Sequence, residues 1–306
     1  MIRIENLVKS FGPKRVVDGL TFNVERGEVL GFLGPNGAGK STTMRMITGF
    51  IPPTEGRVTV GGYDVAESPL EAKRLIGYLP EAAPAYPEMT VHGFLAFAAD
   101  MRGLSGDAKK RAIGRVVELC FLASVLHQGI DTLSKGYKHR TCLAQALIHD
   151  PDVLVLDEPT DGLDPNQKHE VRNLIGELGR TKALVFSTHI LEEVDAACTR
   201  AIIIDRGRIV ANGTPQELRG MSLVAGAVTV SGQGVGADKL AALGRVEQLD
   251  GAWRVYPDGR DASGELVRAV VDLAAREGWR LEALRTEEGQ LDEVFRRITL
   301  PDTAEQ

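Results

Sequence analysis

The chain has 306 residues, 43% of them hydrophobic and 25% charged, with a formal net charge of −6. That length exceeds one average domain, the apolar content supports a sizeable buried core, and the acidic balance excludes nonspecific binding to nucleic acid or anionic lipid. No run reaches the roughly 18 uncharged apolar residues that a bilayer span requires, Met1-Ile2-Arg3-Ile4-Glu5 is no secretion signal, and Cys120, Cys142 and Cys198 are too scattered for a zinc ribbon. The expectation is a soluble protein of a reducing compartment, reaching a membrane only through a partner.

The first informative element is the apolar strand Val29-Leu30-Gly31-Phe32-Leu33. It runs into Gly34-Pro35-Asn36-Gly37-Ala38-Gly39-Lys40-Ser41 and then into a helical pattern over 41–48. This fits G-x-x-x-x-G-K-[ST] completely, in the strand-to-helix context the pattern needs. The glycine-rich turn leaves backbone N–H groups free for phosphate oxygens, and the helix directs its positive end at the same charge. Lys40 is expected to reach the β- and γ-phosphates of a nucleotide, and Ser41 to offer its hydroxyl to Mg²⁺. Further along, Ile76-Gly77-Tyr78-Leu79-Pro80 reads as a strand ending at Glu81. Residues 137–149 form a helix entered through Leu133-Ser134-Lys135-Gly136-Tyr137, which places a hydroxyl, N–H groups and a helix N-terminus where they can face an anion.

Val153-Leu154-Val155-Leu156 reads as a fully buried parallel strand, closed by Asp157-Glu158. Ligand groups collect at the carboxyl ends of such strands, so Asp157 is placed to hold the Mg²⁺ shell and Glu158 to orient or deprotonate attacking water. A strand over 183–186 precedes Ser187, Thr188 and His189. The basic cluster Lys138, His139 and Arg140 reads as a solvated helix face. Thr214-Pro215-Gln216-Glu217 is a capping box with proline at the first helical position, and a domain boundary follows near Gly220. Beyond it, strands over 224–231, 245–249, 253–256 and 280–284 alternate with helices over 237–243 and 263–276. This is the β-α-β-β-α-β order of a ferredoxin-like domain. A helix over 291–298 follows, and the tail after Pro301 reads as disordered.

These segments, in this order, resemble the ATP-binding subunit of an ABC transporter. The resemblance covers about residues 1–218 and rests on the phosphate loop, the segment at Ser134, Asp157-Glu158, Gly162-Leu163-Asp164 and His189. Glu81 and the Leu133–Tyr137 segment look closest to the gliding-motility and related type-2 exporter branch. The implied fold is a P-loop cassette of α/β class, with a mixed sheet core and a helical subdomain over residues 1–220, followed by a small α+β domain over 221–306 that strengthens or regulates a dimer. The resemblance implies ATP and Mg²⁺ as ligands and a head-to-tail dimer in which the Ser134 segment of one copy closes over the γ-phosphate held by the other. It further implies adenine against Phe11 with weak purine selectivity, Thr42 with the rest of the phosphate loop on the nucleotide, Glu81 on the metal, His189 on the γ-phosphate, and Asp164 against the opposite copy. The family commonly has glutamine where Glu81 stands, and glycine and glutamine where Lys135 and Tyr137 stand. Lys135 then adds charge beside the γ-phosphate or lies in solvent. The partners implied are transmembrane permease subunits, received in a groove near residues 82–107 that Tyr86, Pro87, Met89, Phe94, Phe97 and Met101 are expected to line, with no nucleic acid and no direct membrane insertion. The chain would then sit on the cytoplasmic face of the inner membrane. The length is too short for two such cassettes with a spacer, and neither a duplicated cassette nor a long coiled-coil insertion is present, as a non-transport ATPase of this kind would suggest.

Overall fold

A computed structural model describes residues 1–257 and 263–299, which form two compact units, Met1–Thr214 and Pro215–Gln306. The division falls at Pro215, earlier than Gly220, because the short helix that the capping box opens packs with the last helix of the second unit. The tail after Pro301 lies outside the described residues.

In the first unit, β1 (Ile2–Phe11) and β2 (Lys14–Val24) form an antiparallel ribbon. β3 (Val29–Leu33), buried at every residue, leads through the glycine-rich turn into α1 (Lys40–Ile47). β4 (Glu55–Val60) and β5 (Tyr63–Asp64) complete a four-stranded sheet of order β2-β1-β4-β5. α2 (Pro69–Leu75) then feeds β6 (Ile76–Leu79). A helical layer follows: α3 (Val91–Met101), capped by the Thr90 hydroxyl, α4 (Gly106–Leu119) and α5 (Lys135–Leu147), capped by Ser134. β7 (Val153–Asp157), α6 (Pro165–Gly179), β8 (Ala183–Thr188), α7 (Leu191–Ala197), β9 (Arg200–Asp205) and β10 (Arg208–Gly213) close the unit.

The central sheet has the order β10-β9-β3-β8-β7-β6 and is parallel except at β10. A parallel sheet covered on both faces must be apolar throughout, which is why β7 and β8 read as continuous hydrophobic runs. Their two faces differ in size. Val153, Val155, Ala183 and Val185 meet the core shared with α1 and the four-stranded sheet, whereas Leu154, Leu156, Leu184 and Phe186 meet the core shared with α3, α4, α5 and α6. Parallel pairing sets Asp157 opposite Ser187 and Leu33 opposite Thr188, so the carboxyl ends of three strands converge beside the N-terminus of α1.

The second unit contains α8 (Pro215–Arg219), β11 (Val228–Gln233), α9 (Ala237–Leu240), β12 (Arg245–Leu249), β13 (Ala252–Tyr256), α10 (Ser263–Glu277), β14 (Arg280–Thr286) and α11 (Leu291–Thr299). Its sheet has the order β12-β13-β11-β14, antiparallel at every junction, which is the ferredoxin-like arrangement. Val228, Val230 and Val255 pack beneath Leu240, Leu266, Val270 and Leu273. The first strand begins at Val228 rather than Val224, because residues 224–227 are taken up by turn hydrogen bonds from Ala225 to Ser222 and from Ala227 to Val224.

Candidate functional site

The phosphate loop is shaped by two glycines that no other residue replaces cheaply. Gly37 has φ 81° with open space where a Cβ would stand, and Gly39 has φ 109° with a Cβ position only 2.8 Å from the Val16 carbonyl. Both need the left-handed region that glycine enters freely. Gly39 is the N-cap of α1 and supplies no capping side chain, so the first N–H groups of the helix keep no internal partner. They open on a cavity of about 310 Å³ lined by Val16, Asn36, Gly37, Gly39, Lys40, Ser41, Thr42, Glu81 and Glu158. Gly34 and Ala38 build the loop from behind: a Cβ on Gly34 would meet the Ile204 carbonyl, and Ala38 is buried, with its own carbonyl accepting from Gly207 N–H.

Lys40 is buried and curls back over its own loop, donating to the carbonyls of Gly34 at 2.7 Å and Pro35 at 3.4 Å. Its ammonium stands 4.0 Å from Glu158 Oε1. Burial lowers its pKa, and the carboxylates of Glu158, Asp157 and Glu81 oppose that shift. A cation held by backbone carbonyls in a partly dry cavity is a charge awaiting an anion.

Asp157 organises the end of the sheet. Its Oδ1 accepts from Ser187 Oγ at 2.5 Å and from Ser41 Oγ at 3.2 Å, while its Oδ2 is buried with no hydrogen-bond partner among the described residues. The Asp157 carboxylate, bonded through Oδ1 to the Ser41 hydroxyl of a cavity that Glu81 also lines, completes a hard, all-oxygen donor set that fits Mg²⁺.

Glu158 has φ 51°, an uncommon region for a non-glycine residue. That turn is held by its N–H donating to Ser187 Oγ at 3.0 Å. Its Oε2 accepts from Nδ1 of His189 at 3.0 Å, and since a carboxylate only accepts, that nitrogen carries the proton. Burial pushes the Glu158 carboxyl above the usual glutamate value, against the pull of His189 and Lys40. A carboxylate made more basic in this way, adjacent to a phosphate cradle, suits general-base work.

The remaining expected residues lie elsewhere. The Phe11 ring is exposed at the end of β1, with Lys9 Nζ 5.2 Å from its centroid, and it does not line the cavity. Ser134 Oγ caps its own helix, accepting from Tyr137 N–H at 3.3 Å, and Asp164 caps α6 by accepting from Gln167 N–H at 3.0 Å. Lys135 donates to Asp161 Oδ2 at 2.8 Å, so its charge is matched within its own chain. Gly136 sits where a Cβ would come within 2.6 Å of Gln167 Oε1, which fixes the close approach of α5 to α6. The basic cluster after it is not a solvated face. His139 and Arg140 are buried, and Arg140 pairs with Glu170 at 2.5 Å, because α5 runs through the middle of the helical layer. Val16 is the cavity residue that sequence reasoning missed, since a valine within a ribbon strand carries no motif.

A parallel sheet whose phosphate loop, metal-type carboxylate and basic glutamate meet at one edge defines a nucleotide-hydrolysing P-loop site. Residues 17–161 match the family described as ABC transporter. The linearmycin resistance ATP-binding protein LnrL of Bacillus subtilis is 41% identical over 220 residues, 71% of this chain and 70% of that one. The Nod factor export ATP-binding protein I of Burkholderia orbicola is 36% identical over 253 residues, 82% of this chain and 83% of that one. Among solved structures, the ATP-binding subunit of an ABC transporter superposes with a TM-score of 0.67 at 31% identity, over 72% of this chain and 92% of that one. The chain belongs to the ABC transporter family as an ATP-binding subunit, and ATP hydrolysis is its reaction. Among the described residues no helix is long and apolar enough to cross a membrane.

Proposed function

We propose that this chain hydrolyses MgATP as one half of a head-to-tail dimer and transmits the closure of that dimer to a transmembrane exporter. The observation that carries the reading is Asp157, whose Oδ1 accepts from Ser41 Oγ and whose buried Oδ2 has no hydrogen-bond partner among the described residues. Asp157, Ser41 and Glu81 would hold Mg²⁺, which would supply neutralisation of phosphate charge there. Lys40 and the N–H groups of the loop bind and orient the phosphates. Glu158 takes the proton of the attacking water at its carboxylate, with His189 holding the other oxygen through Nδ1–H. Phe11 stacks on adenine from outside the phosphate cavity.

The N-terminus of α5, with Ser134 and Lys135 exposed and Gly136 buried behind them, is the surface that would meet the γ-phosphate of the opposite copy, and Asp164 lies at the neighbouring helix start. The Lys135–Asp161 pair supports a concerted role, because it ties this segment to the loop that follows Glu158 in the same chain. The export direction is supported by the Nod factor export protein among the relatives.

A groove of about 850 Å³ supports docking of a permease segment. Phe50, Leu70 and Met101 line it, and they are 71%, 68% and 71% exposed. Large apolar side chains left this open in one groove suit an apolar partner surface. Of the aromatic residues expected there, Tyr86 instead packs edge-on to Phe94 and Phe97, at 6.1 and 5.6 Å. Docking would hold the protein on the cytoplasmic face of the membrane. The second unit brings no ATP-contacting motif, which supports a tethering role between copies.

Glu158→Gln tests the reading. It is expected to lower hydrolysis by a factor on the order of 10² to 10⁴ while ATP binding persists. ATP then holds the dimer closed, which gel filtration with ATP and Mg²⁺ detects; a monomer at high protein concentration under those conditions would refute the sandwich.

A further inference from the structure

Glu193 is 1% exposed in α7 and has no ion-pair partner among the described residues. Its described partners are two hydroxyls. Thr160 Oγ1 donates to its Oε1, and Thr188 Oγ1 donates to its Oε2 at 2.7 Å. Both threonines are themselves buried, at 2% and 0%. One follows Glu158 by two residues, and the other immediately precedes His189.

We infer that Glu193 is a positioning residue that clamps the Glu158 loop to the His189 loop and so fixes the contact between base and imidazole. The inference rests on the assignment of Glu158 and His189 to hydrolysis. A hydroxyl has one proton to give, and an acceptor-only carboxylate takes it from each threonine. With its proton committed, the Thr188 oxygen turns its lone pairs toward Ile190 N–H, which donates to it at 3.0 Å. His189 is thereby bracketed between a hydroxyl anchored on one side and an N–H anchored on the other. Thr160 extends the same clamp to the loop where Asp161 N–H donates to the Glu158 carbonyl, the turn that keeps Glu158 at its positive φ. His189 is 57% exposed at its side chain, so few contacts other than this backbone anchor and Glu158 restrain it. A buried acid with no cation partner is costly to retain in a core, and a clamp on two reacting loops gives it a reason to be there.

The amide of Glu193→Gln offers one acceptor where the carboxylate offers two, so one threonine must reverse its hydrogen bond. The expected result is a fall in kcat of about tenfold, as for one misplaced hydrogen-bonding partner, with KM for ATP within about twofold of wild type. Histidine-labelled protein gives a second readout that needs no turnover: the ¹⁵N signal of His189 is expected to move in Glu193→Gln. Thr160→Val removes one arm of the clamp and is expected to reproduce the fall in kcat, while Thr160→Ser restores it. If Glu193→Gln does not fold, the threonine pair carries the test alone. Full kcat with an unmoved His189 signal in folded Glu193→Gln or Thr160→Val overturns the inference. Failure of the underlying assignment looks different, because hydrolysis would then survive in His189→Ala and Glu158→Gln themselves.

Discussion

His149 offers a stability measurement that isolates one side chain. It follows α5 on the floor of the groove that Phe50 and Met101 line. Its Nε2–H donates to the Ile76 carbonyl at 3.2 Å, which leaves Nδ1 as a bare lone pair, buried and without a partner among the described residues. Protonation would place an N–H where no acceptor stands. Burial, followed by the positive charge of Arg102, lowers its pKa from 6.5 to about 4. The sign follows from linkage. Above the unfolded value of 6.5 neither state binds the proton; as pH falls toward 4 the unfolded chain takes it up while the folded chain does not, and stability is lost. At about pH 5.5 the protonated form of the unfolded imidazole exceeds the neutral form about tenfold, and the loss amounts to about 1.3 kcal/mol relative to about pH 7.5. Glutamine at this position keeps a donor for the Ile76 carbonyl and does not titrate. Urea unfolding followed by far-ultraviolet circular dichroism, at both pH values, should therefore show wild type losing about 1.3 kcal/mol more than His149→Gln. Equal losses in the two proteins would refute the argument that His149 is held neutral by its surroundings.

Other consequences are open to direct assay. Dimers mixed from Lys40→Ala and Ser134→Arg copies concentrate both defects in one site and leave one site intact, so tagged heterodimers should exceed either inactive parent in ATPase rate, and no excess would contradict shared sites. Gly77→Ala places a Cβ 2.3 Å from the Ala146 carbonyl and 2.8 Å from Pro151 Cγ, so it should destabilise the first unit by about 1–3 kcal/mol, read as a lowered melting temperature; an unchanged one would show that β6 and α5 can separate freely. Removing residues 215–306, a cut placed where the compact units divide, should leave nucleotide affinity unchanged and lower ATPase activity most at low protein concentration. A deficit independent of concentration in the folded protein would argue against a tether.

The parts of the site that were legible in the sequence are those in which chemistry demands a particular residue at a particular spacing. Gly37, Gly39, Lys40 and Ser41 are fixed by backbone angle and phosphate charge together, and Asp157 and Glu158 by the end of a strand whose apolarity is continuous. The ferredoxin-like order was legible for a similar reason, since period-2 patterning and turn residues alternate cleanly there. What was not legible depends on long-range packing. Lys138, His139 and Arg140 read as a polar face because charge alone was visible; only the helical layer around α5 shows Arg140 held against Glu170. Val16 reaches the cavity because Gly39 packs against its carbonyl, a contact between residues with no local signature. Glu193 was concealed among Glu192 and Asp195, acids of the same helix, and its burial is decided by hydroxyls contributed from two other loops.

The unequal faces of β7 and β8 have a bearing on how reliably the site is assembled. In a sheet that is greasy on both sides, polarity gives a strand no means of telling one face from the other, and a slip of one residue would exchange Leu154 and Leu156 with Val153 and Val155. Volume supplies the missing signal: the slipped strand would crowd one layer with leucines and leave gaps in the other, an error costing about 1–3 kcal/mol for overpacking alone. The same slip would carry Asp157 about 3.3 Å along the strand and turn it to the opposite side, away from Ser41 and Ser187. The steric mismatch between valine and leucine, spread over two central strands, thus acts as a proofreading device for the position of a single carboxylate.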